Sequence, residues 1–354
     1  MRSNDGFSLV EALMAVCLTL VVTSAAFGLV MPAAALSQTQ PESMDMQQRI
    51  RVAAEALLRD LKMAGAGLHA GPRAGALVAA FAPVLPRRIG SQRPDGPTSA
   101  RGDAITITYV PASYAEATIS GPVPQAGGVT IDYPPNCPAG QVLCGFQAGM
   151  TAVVFDAAGH FDLFSITSVQ SSGAQWRMQG TGSGNVYPAG TAVSEVQSRT
   201  YYFDAVTSQL RQYDGDQTDV PVVDNVVSVA FEYFGDPQPP QRPRPPLGVD
   251  NCLYDAAGNL KPLPVLAASG SLAPLPLSML SDGPWCGSGA TQFDADLLRV
   301  RMITVSIRVQ ASPAVFRGAG SAFARAGTTR ESARYLPDVT ASFAVTPRNL
   351  NGGR

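Results

Sequence analysis

The residues of this chain whose types could do chemistry are few and widely separated. The only histidines are His69 and His160, which removes most histidine-based catalytic and metal constellations at the outset. There is no phosphate-binding glycine loop, no nucleophile elbow and no workable triad, so neither an enzyme nor a bound cofactor or metal is expected. The segment Tyr213-Asp214-Gly215-Asp216-Gln217-Thr218-Asp219 carries three carboxylates. It lacks the EF-hand pattern and its closing Glu, so an acidic turn after a strand is expected, with a calcium loop as the alternative. Of the five cysteines, Cys17 lies in an apolar run, where it acts as a small filler. The other four fall as Cys137 with Cys144 and Cys252 with Cys286. Neither spacing is C-x-x-C, and no nearby histidine completes a zinc site. An even number of cysteines in the loops of an exported domain reads as disulfides. Local pairing, Cys137–Cys144 and Cys252–Cys286, is the expected choice among the alternative connectivities. Closing the second pair would stabilise by about 3–4 kcal/mol in the chain-entropy model.

One more carboxylate stands out by position. Glu11 sits at the threshold of a stretch, Ala12 to Pro41, that contains no charged side chain. Within it, Ala12 to Leu36 is mostly Ala, Leu, Val, Met and Phe, longer than the about 20 residues a helix needs to span a bilayer. No second such run follows. Three readings compete. A cleavable signal peptide would use Ala33-Ala34-Ala35, but its apolar core would be unusually long and its basic start thin, Arg2 being offset by Asp5. A lipoprotein signal needs a small residue before its cysteine, and Val16 precedes Cys17. A plain signal anchor accounts for the length but not for Glu11. A charge near the bilayer centre costs roughly 2.5–3.5 kcal/mol, less near its edge, and marks a functional residue that needs a partner.

A further reading starts from that carboxylate. Gly6-Phe7-Ser8-Leu9-Val10-Glu11 followed by an unbroken apolar helix resembles the class III signal of type IV prepilins. The resemblance implies that a prepilin peptidase cuts between Gly6 and Phe7, and that Phe7 is then methylated. Residues 1–6 would be a leader and 7–36 a transmembrane helix. It also implies that Glu11 pairs with the α-amine of a neighbouring subunit during assembly, so that stacking offsets the charge cost and fixes register.

The elements that position these residues follow from periodicity. From Met44 to Ala64, Met46, Ile50, Ala53, Ala54, Leu57, Leu61 and Ala64 recur at helical steps, with Arg51, Glu55, Arg59 and Lys62 largely opposite. Residues 37–65 are thus the amphipathic half of a long N-terminal helix stopped by Gly65 and Gly67. Gly28 and Pro32 suggest a weak point in the apolar half. Residues Ala66 to Gly102 read as a Gly/Pro/Arg-rich loop, in which Arg87-Arg88 is either a basic recognition patch or, as expected, a solvated pair. Strand-like runs follow at Ala104–Val110, Val129–Tyr133, Thr151–Asp156, Phe161–Val169, Thr200–Asp204, Gln209–Tyr213, Val223–Phe234, Leu298–Gln310 and Val339–Val345. His160, in Ala157-Ala158-Gly159-His160, is expected in a hairpin turn. The insertion at 235–296 opens with a polyproline stretch, read as a stiff exposed loop or a partner-recruiting segment.

The fold class expected is α+β: a long N-terminal helix packed on an antiparallel sheet, with a β-rich head over 66–354. Charged residues are 15% of the chain and the formal net charge is −2, which argues against disorder and against a nucleic-acid coat. Several segments further resemble W-type minor pilins of type IV pili: Leu57-Leu58-Arg59-Asp60-Leu61-Lys62-Met63-Ala64-Gly65, Gly149-Met150-Thr151-Ala152-Val153-Val154-Phe155-Asp156, Val223-Asp224-Asn225-Val226 leading into Phe231-Glu232-Tyr233, and Val345-Thr346-Pro347-Arg348-Asn349-Leu350. The J-type pseudopilins of type II secretion share the plan but are usually shorter. What the resemblance implies is a low-copy subunit in a tip or priming complex. Its partners would be the prepilin peptidase, other minor and major pilins and the inner-membrane assembly platform, its head periplasmic and later on the cell surface. The alternative from another class is a tip-displayed adhesin or DNA-binding module.

Overall fold

The computed structural model describes residues 8–69, 75–112, 115–123, 126–132, 142–170, 173–179, 185–268, 270–330 and 335–351. The chain divides into two compact units, Met1–Arg49 with Val309–Val339, and Ile50–Arg308 with Thr340–Arg354. Helix α1 (Leu9–Met63) begins in the first and ends in the second.

In the first unit, Leu9–Val30 is exposed throughout and is long and apolar enough to cross a membrane. Its two threonine hydroxyls are satisfied within the helix: Thr19 Oγ1 donates to Ala15 O at 2.6 Å and Thr23 Oγ1 to Thr19 O at 2.5 Å. That is what a hydroxyl must do where water is absent. The helix continues through Gly28, Pro32 and Pro41, so the weak point expected at Gly28 and Pro32 does not end it; a proline removes one bond from a ladder that its neighbours sustain.

In the second unit the amphipathic pattern does what its spacing predicts. Ala53, Leu57, Leu61 and Ala64 are fully buried, while Arg51, Glu55, Arg59 and Lys62 are exposed. Gly65 closes the helix at φ +76, and a Cβ there would lie 2.8 Å from Leu350 Cδ2, so both conformation and space call for glycine.

The strands in chain order are β1 (Val84–Leu85), β2 (Ala104–Tyr109), β3 (Glu116–Ile119), β4 (Ala126–Asp132), β5 (Thr151–Phe155), β6 (Phe161–Gln170), β7 (Gly173–Met178), β8 (Ala192–Glu195), β9 (Gln197–Asp204), β10 (Gln209–Tyr213), β11 (Asp219–Asp224), β12 (Val226–Gly235), β13 (Ala273–Leu275), β14 (Trp285–Cys286), β15 (Phe293–Asp294), β16 (Val300–Val309) and β17 (Val339–Val345). They form a five-stranded sheet β1-β2-β9-β10-β11, a four-stranded sheet β13-β12-β16-β17, the ribbon β14-β15, and a closed barrel β3-β4-β7-β6-β5-β8.

The antiparallel expectation holds in this coarse form, but a single sheet does not. The barrel occupies the connection between β2 and β9, which are themselves antiparallel neighbours with Tyr109 opposite Gln197. Its core is apolar: Ile119, Leu143, Val154, Phe164, Trp176 and Val193 are buried together, with Phe164 stacked on Trp176 at 4.3 Å between ring centroids. Closure removes every free edge from this part of the chain.

Three further expectations change. The run Val223–Phe234 is two strands, because Asn225 turns at φ +57 between β11 and β12. The 66–102 segment is not all loop, since Val84 and Leu85 pair with Ile107 and Thr106. The 235–296 insertion is a folded flap: β13 extends the four-stranded sheet opposite Tyr233–Gly235, and Cys252–Cys286 closes across 34 residues. Its polyproline stretch is held by Asn251 Nδ2 on Pro243 O at 3.1 Å and by Tyr254 Oη on Gln241 O at 2.9 Å. The clearest strand in the sequence is borne out, with Ile303, Val305, Ile307 and Val309 of β16 all buried.

Candidate functional site

The site picked out by sequence is the start of α1. Gly6 and Phe7 lie outside the described residues, which begin at Ser8. Ser8 caps the helix, its Oγ accepting from Glu11 N at 3.2 Å, and Glu11 Oε2 accepts from Ser8 N at 3.1 Å. This reciprocal pair is a capping box. It places the Glu11 carboxylate on the positive end of the helix dipole and on an otherwise orphaned backbone N–H. Sequence reading assigned Glu11 a partner only in a neighbouring subunit; Ser8 is the partner it missed, and Ser-x-x-Glu before an apolar run was the signal. Cys17 is a free thiol, exposed on the apolar span.

The other end of α1 holds a second carboxylate that the sequence reading passed over. Asp60 lies on the buried face and is 4% exposed. It accepts from Tyr201 Oη at 2.7 Å, from Gln212 Nε2 at 3.2 Å and from Tyr109 Oη at 3.3 Å. Tyr109 also donates to Gln197 Oε1 at 2.7 Å. Burial, then the charge of Asp60, pushes both phenols above their ordinary value, Tyr201 further than Tyr109. Arg59, Asp60, Tyr109, Gln197, Arg199 and Gln212 line a shallow cavity of about 330 Å³. The signal was available: a charged residue three positions after Leu57 falls on the apolar face of the helix.

The remaining candidates resolve into structure. Asp214 Oδ1 accepts from Asp216 N at 2.9 Å and Thr218 N at 3.0 Å, while Asp216 meets Ser165 and Arg177 and Asp219 meets Arg211 and Tyr202. The three carboxylates thus serve three separate partner sets, as an acidic turn does. His160 sits in the β5–β6 turn with Nδ1 at 2.9 Å from Asp156 Oδ2. That hydrogen bond, against partial desolvation, raises the imidazole above its usual value. Cys252–Cys286 is formed as expected; Cys137 lies outside the described residues, so the Cys137–Cys144 pair does too.

Arg87 is neither a recognition patch nor solvated. It is 2% exposed and donates to Gly96 O at 3.0 Å, Ala290 O at 3.1 Å and Gln292 O at 2.5 Å. Burial lowers its guanidinium to about 10, with Asp95 opposing. Arg88 pairs with Asp95 at 3.4 Å. Two of the three carbonyls that hold Arg87, those of Ala290 and Gln292, lie 203 and 205 residues downstream, so no local pattern announced them.

One cluster was not anticipated. Carboxylate oxygens of Asp282, Asp294 and Asp296 lie within 4.8 Å of one another. Burial, and the nearby Asp296 and Asp282, raise Asp294 to about 6 against two backbone hydrogen bonds that lower it. Their contacts are with the chain: Asp294 accepts from Asp296 N and Gly283 N, and Asp296 pairs with the fully buried Arg299. A groove of about 460 Å³ runs beside the polyproline stretch, walled by Pro239, Pro240 and the Asp236–Arg301 pair at 2.8 Å. Compared with protein-family models, with curated proteins and with solved structures, the chain matches none.

Proposed function

We propose that this chain is a minor pilin: a prepilin-like subunit cleaved between Gly6 and Phe7, methylated at Phe7, and added to the tip or priming complex of a type IV pilus. The observation that carries the reading is the placement of Gly6-Phe7-Ser8-Leu9-Val10-Glu11 directly at the start of a helix whose first 22 residues are apolar enough to span a membrane. In that reading Gly6 offers no side chain to obstruct a peptidase at the membrane surface. Cleavage creates a cationic α-amine on Phe7, and Glu11 of the adjoining subunit receives it. The capping box deepens the account. Glu11 enters the bilayer edge already holding one hydrogen bond through Oε2, so its second oxygen is the one left to meet the amine, and the cost of an isolated charge is reduced before assembly begins.

Mass spectrometry of the mature N-terminus tests this. The expected species begins with methylated Phe7; a protein beginning at Met1 or near Leu36 would defeat it. Glu11→Ala should leave cleavage intact and reduce abundance in sheared filaments by at least about tenfold relative to membranes, the cost of leaving a buried charge unpaired. Co-purification with type II secretion components instead of pilins would move the same subunit to the J-type pseudopilin reading. A second reading has its own observation. The barrel inserted between β2 and β9 closes its own core, which favours a head that also displays a binding module at the filament tip.

A further inference from the structure

An edge strand offers unpaired backbone N–H and C=O groups to any extended chain that reaches it. The two open sheets end in β1, β11, β13 and β17, and three of these edges are blunted. β1 has two residues. β13 has three, with Pro274 among them. β11 carries Pro221, an aspartate at each end and a register shift against β10 at Leu210 and Arg211. Proline gives no donor, and charge, shortness and irregular pairing each discourage a further strand.

β17 is the exception. It lies outside β16 at the end of the four-stranded sheet. Its seven residues, Val339-Thr340-Ala341-Ser342-Phe343-Ala344-Val345, include no charge, no proline and no glycine. Among the described residues, no further strand and no loop backbone is hydrogen-bonded to its outer side. Thr340, Ser342 and Ala344 are exposed, whereas Ala341 and Phe343 are half-buried and Val345 is buried. From Thr340 onward the strand is thus two-faced at a period of two, and the ring of Phe343 on its apolar face is only partly shielded.

We propose that β17 is a docking edge for β17 of a second copy of this chain, the two strands pairing antiparallel about a two-fold axis at Ser342. The strand's self-complementarity selects this occupant. About that centre Ser342 meets Ser342, Thr340 meets Ala344, Ala341 meets Phe343 and Val339 meets Val345. Exposed positions meet on one face and apolar positions on the other, so Ala341 of the second copy covers Phe343 and no side chain changes face. Charge decides the direction. Asp338 precedes the strand and the exposed Arg348 follows it. Parallel pairing would set like charge on like at both ends. Antiparallel pairing brings Arg348 of each copy to the end where the other's Asp338 lies. Asp338 Oδ2 already accepts from Ala324 N at 2.7 Å, so this is an attraction between ends and not a new ion pair. The inference concerns the head alone and is independent of processing at Phe7 and of pilus assembly.

The test uses the full chain in detergent micelles, with Cys17→Ala to remove the free thiol of the span, under mild oxidation. Directly opposite residues of an antiparallel pair lie within disulfide reach. Ser342→Cys should therefore give a covalent dimer at least about tenfold more than the parent. Thr340→Cys and Ala344→Cys alone should stay near the parent level, because in this register each lies four residues, about 14 Å, from its own copy. Thr340→Cys combined with Ala344→Cys should restore the dimer. Ser342→Lys sets like charges opposite each other on an exposed position, and should raise the dimer's dissociation constant in sedimentation at least about tenfold. Ser342→Asp makes the same test if lysine disturbs folding. A monomer at every concentration, equal cross-linking at 340, 342 and 344, or a dimer indifferent to both charged variants overturns the proposal. Cross-linking at 342 that appears only when a different protein is added would assign the edge to that protein's strand and overturn it as well.

Discussion

The two ends of α1 each hold a carboxylate, and they solve the same problem from opposite directions. Glu11, at the exposed start, takes its hydrogen bond from Ser8, three residues away. Asp60, on the buried face near the end, takes its bonds from Tyr109, Tyr201 and Gln212, at separations of 49, 141 and 152 residues. The first arrangement needs only a helix start. The second needs β2, β9 and β10 already in register, because Ile105 sits opposite Tyr201 and Tyr201 opposite Gln212. Local partners leave a carboxylate available to something outside the chain. Distant partners consume it and make it a lock between helix and sheet.

If distant pairs hold the head together, cutting them should cost most. Cys252 and Cys286 close 34 residues of flap. Replacing both by serine should lower head stability by about 3–4 kcal/mol in the chain-entropy model, read as a shift in denaturation midpoint. A shift under about 1 kcal/mol would mean that the flap is held instead by the polyproline contacts and by Arg299, which donates to Pro237 O at 3.0 Å and Pro264 O at 2.8 Å. Asp60→Ala comes next. It removes the common acceptor of two phenols and an amide, although Gln197 and the Ala56 carbonyl still receive the tyrosine hydroxyls. The expected loss is about 2–3 kcal/mol, and Tyr201→Phe about 1 kcal/mol. Equal effects of Asp60→Ala and Tyr201→Phe would show that Asp60 works with Tyr201 alone.

The same contrast explains what could be read from sequence. The helix, the β16 alternation, the β5–β6 and β9–β10 hairpins and the acidic turn are local, and their periods and turn residues announced them. The barrel did not announce itself. β3, at Glu116–Ile119, and β8, at Ala192–Glu195, have only four residues each, and β4 contains Gly127-Gly128. Closure is also a property of pairing between β3 and β8, where the partners Glu116 and Ser194 are 78 residues apart, rather than of any one segment. Arg87 was misread for a related reason: a charged residue in a Gly/Pro-rich stretch looks solvated until distant carbonyls surround it. At the start of α1 the reverse occurred. The Ser8–Glu11 box is fully local, but the same residues belong to the Gly6-Phe7…Glu11 pattern, which hides it.

The helix start should respond weakly and only locally. Ser8→Ala removes the cap, and the expected cost is about 1 kcal/mol on the first turn of α1. It should appear as faster hydrogen exchange of the Glu11 amide in lipid nanodiscs. The head's thermal midpoint should be unchanged, because sites without shared partners add independently. A drop in head stability on Ser8→Ala would break the contrast between the two ends.

The smallest effect concerns a local pair inside the head, and it separates locality from position. Asp156 accepts from Ala158 N, from His160 N and from the His160 ring, all within four residues. The hydrogen bond to Asp156 raises the imidazole above the ordinary 6.5, desolvation opposing it. A raised folded value means that the charged form is favoured by folding. Its stabilisation is therefore complete below pH 6.5 and is lost as pH rises through the raised value. The ring is about one-third exposed, so solvent screening keeps the gain well under about 1 kcal/mol. Asp294, raised to about 6, also loses stabilisation as pH climbs through that value, so raw melting curves mix the two. The difference between wild type and His160→Asn isolates the histidine, since both proteins carry Asp294. Wild type should lead at pH 5, with the lead shrinking past neutrality and weakening in high salt. A lead that does not change with pH would mean the imidazole stays neutral in the turn and holds Asp156 by an uncharged hydrogen bond.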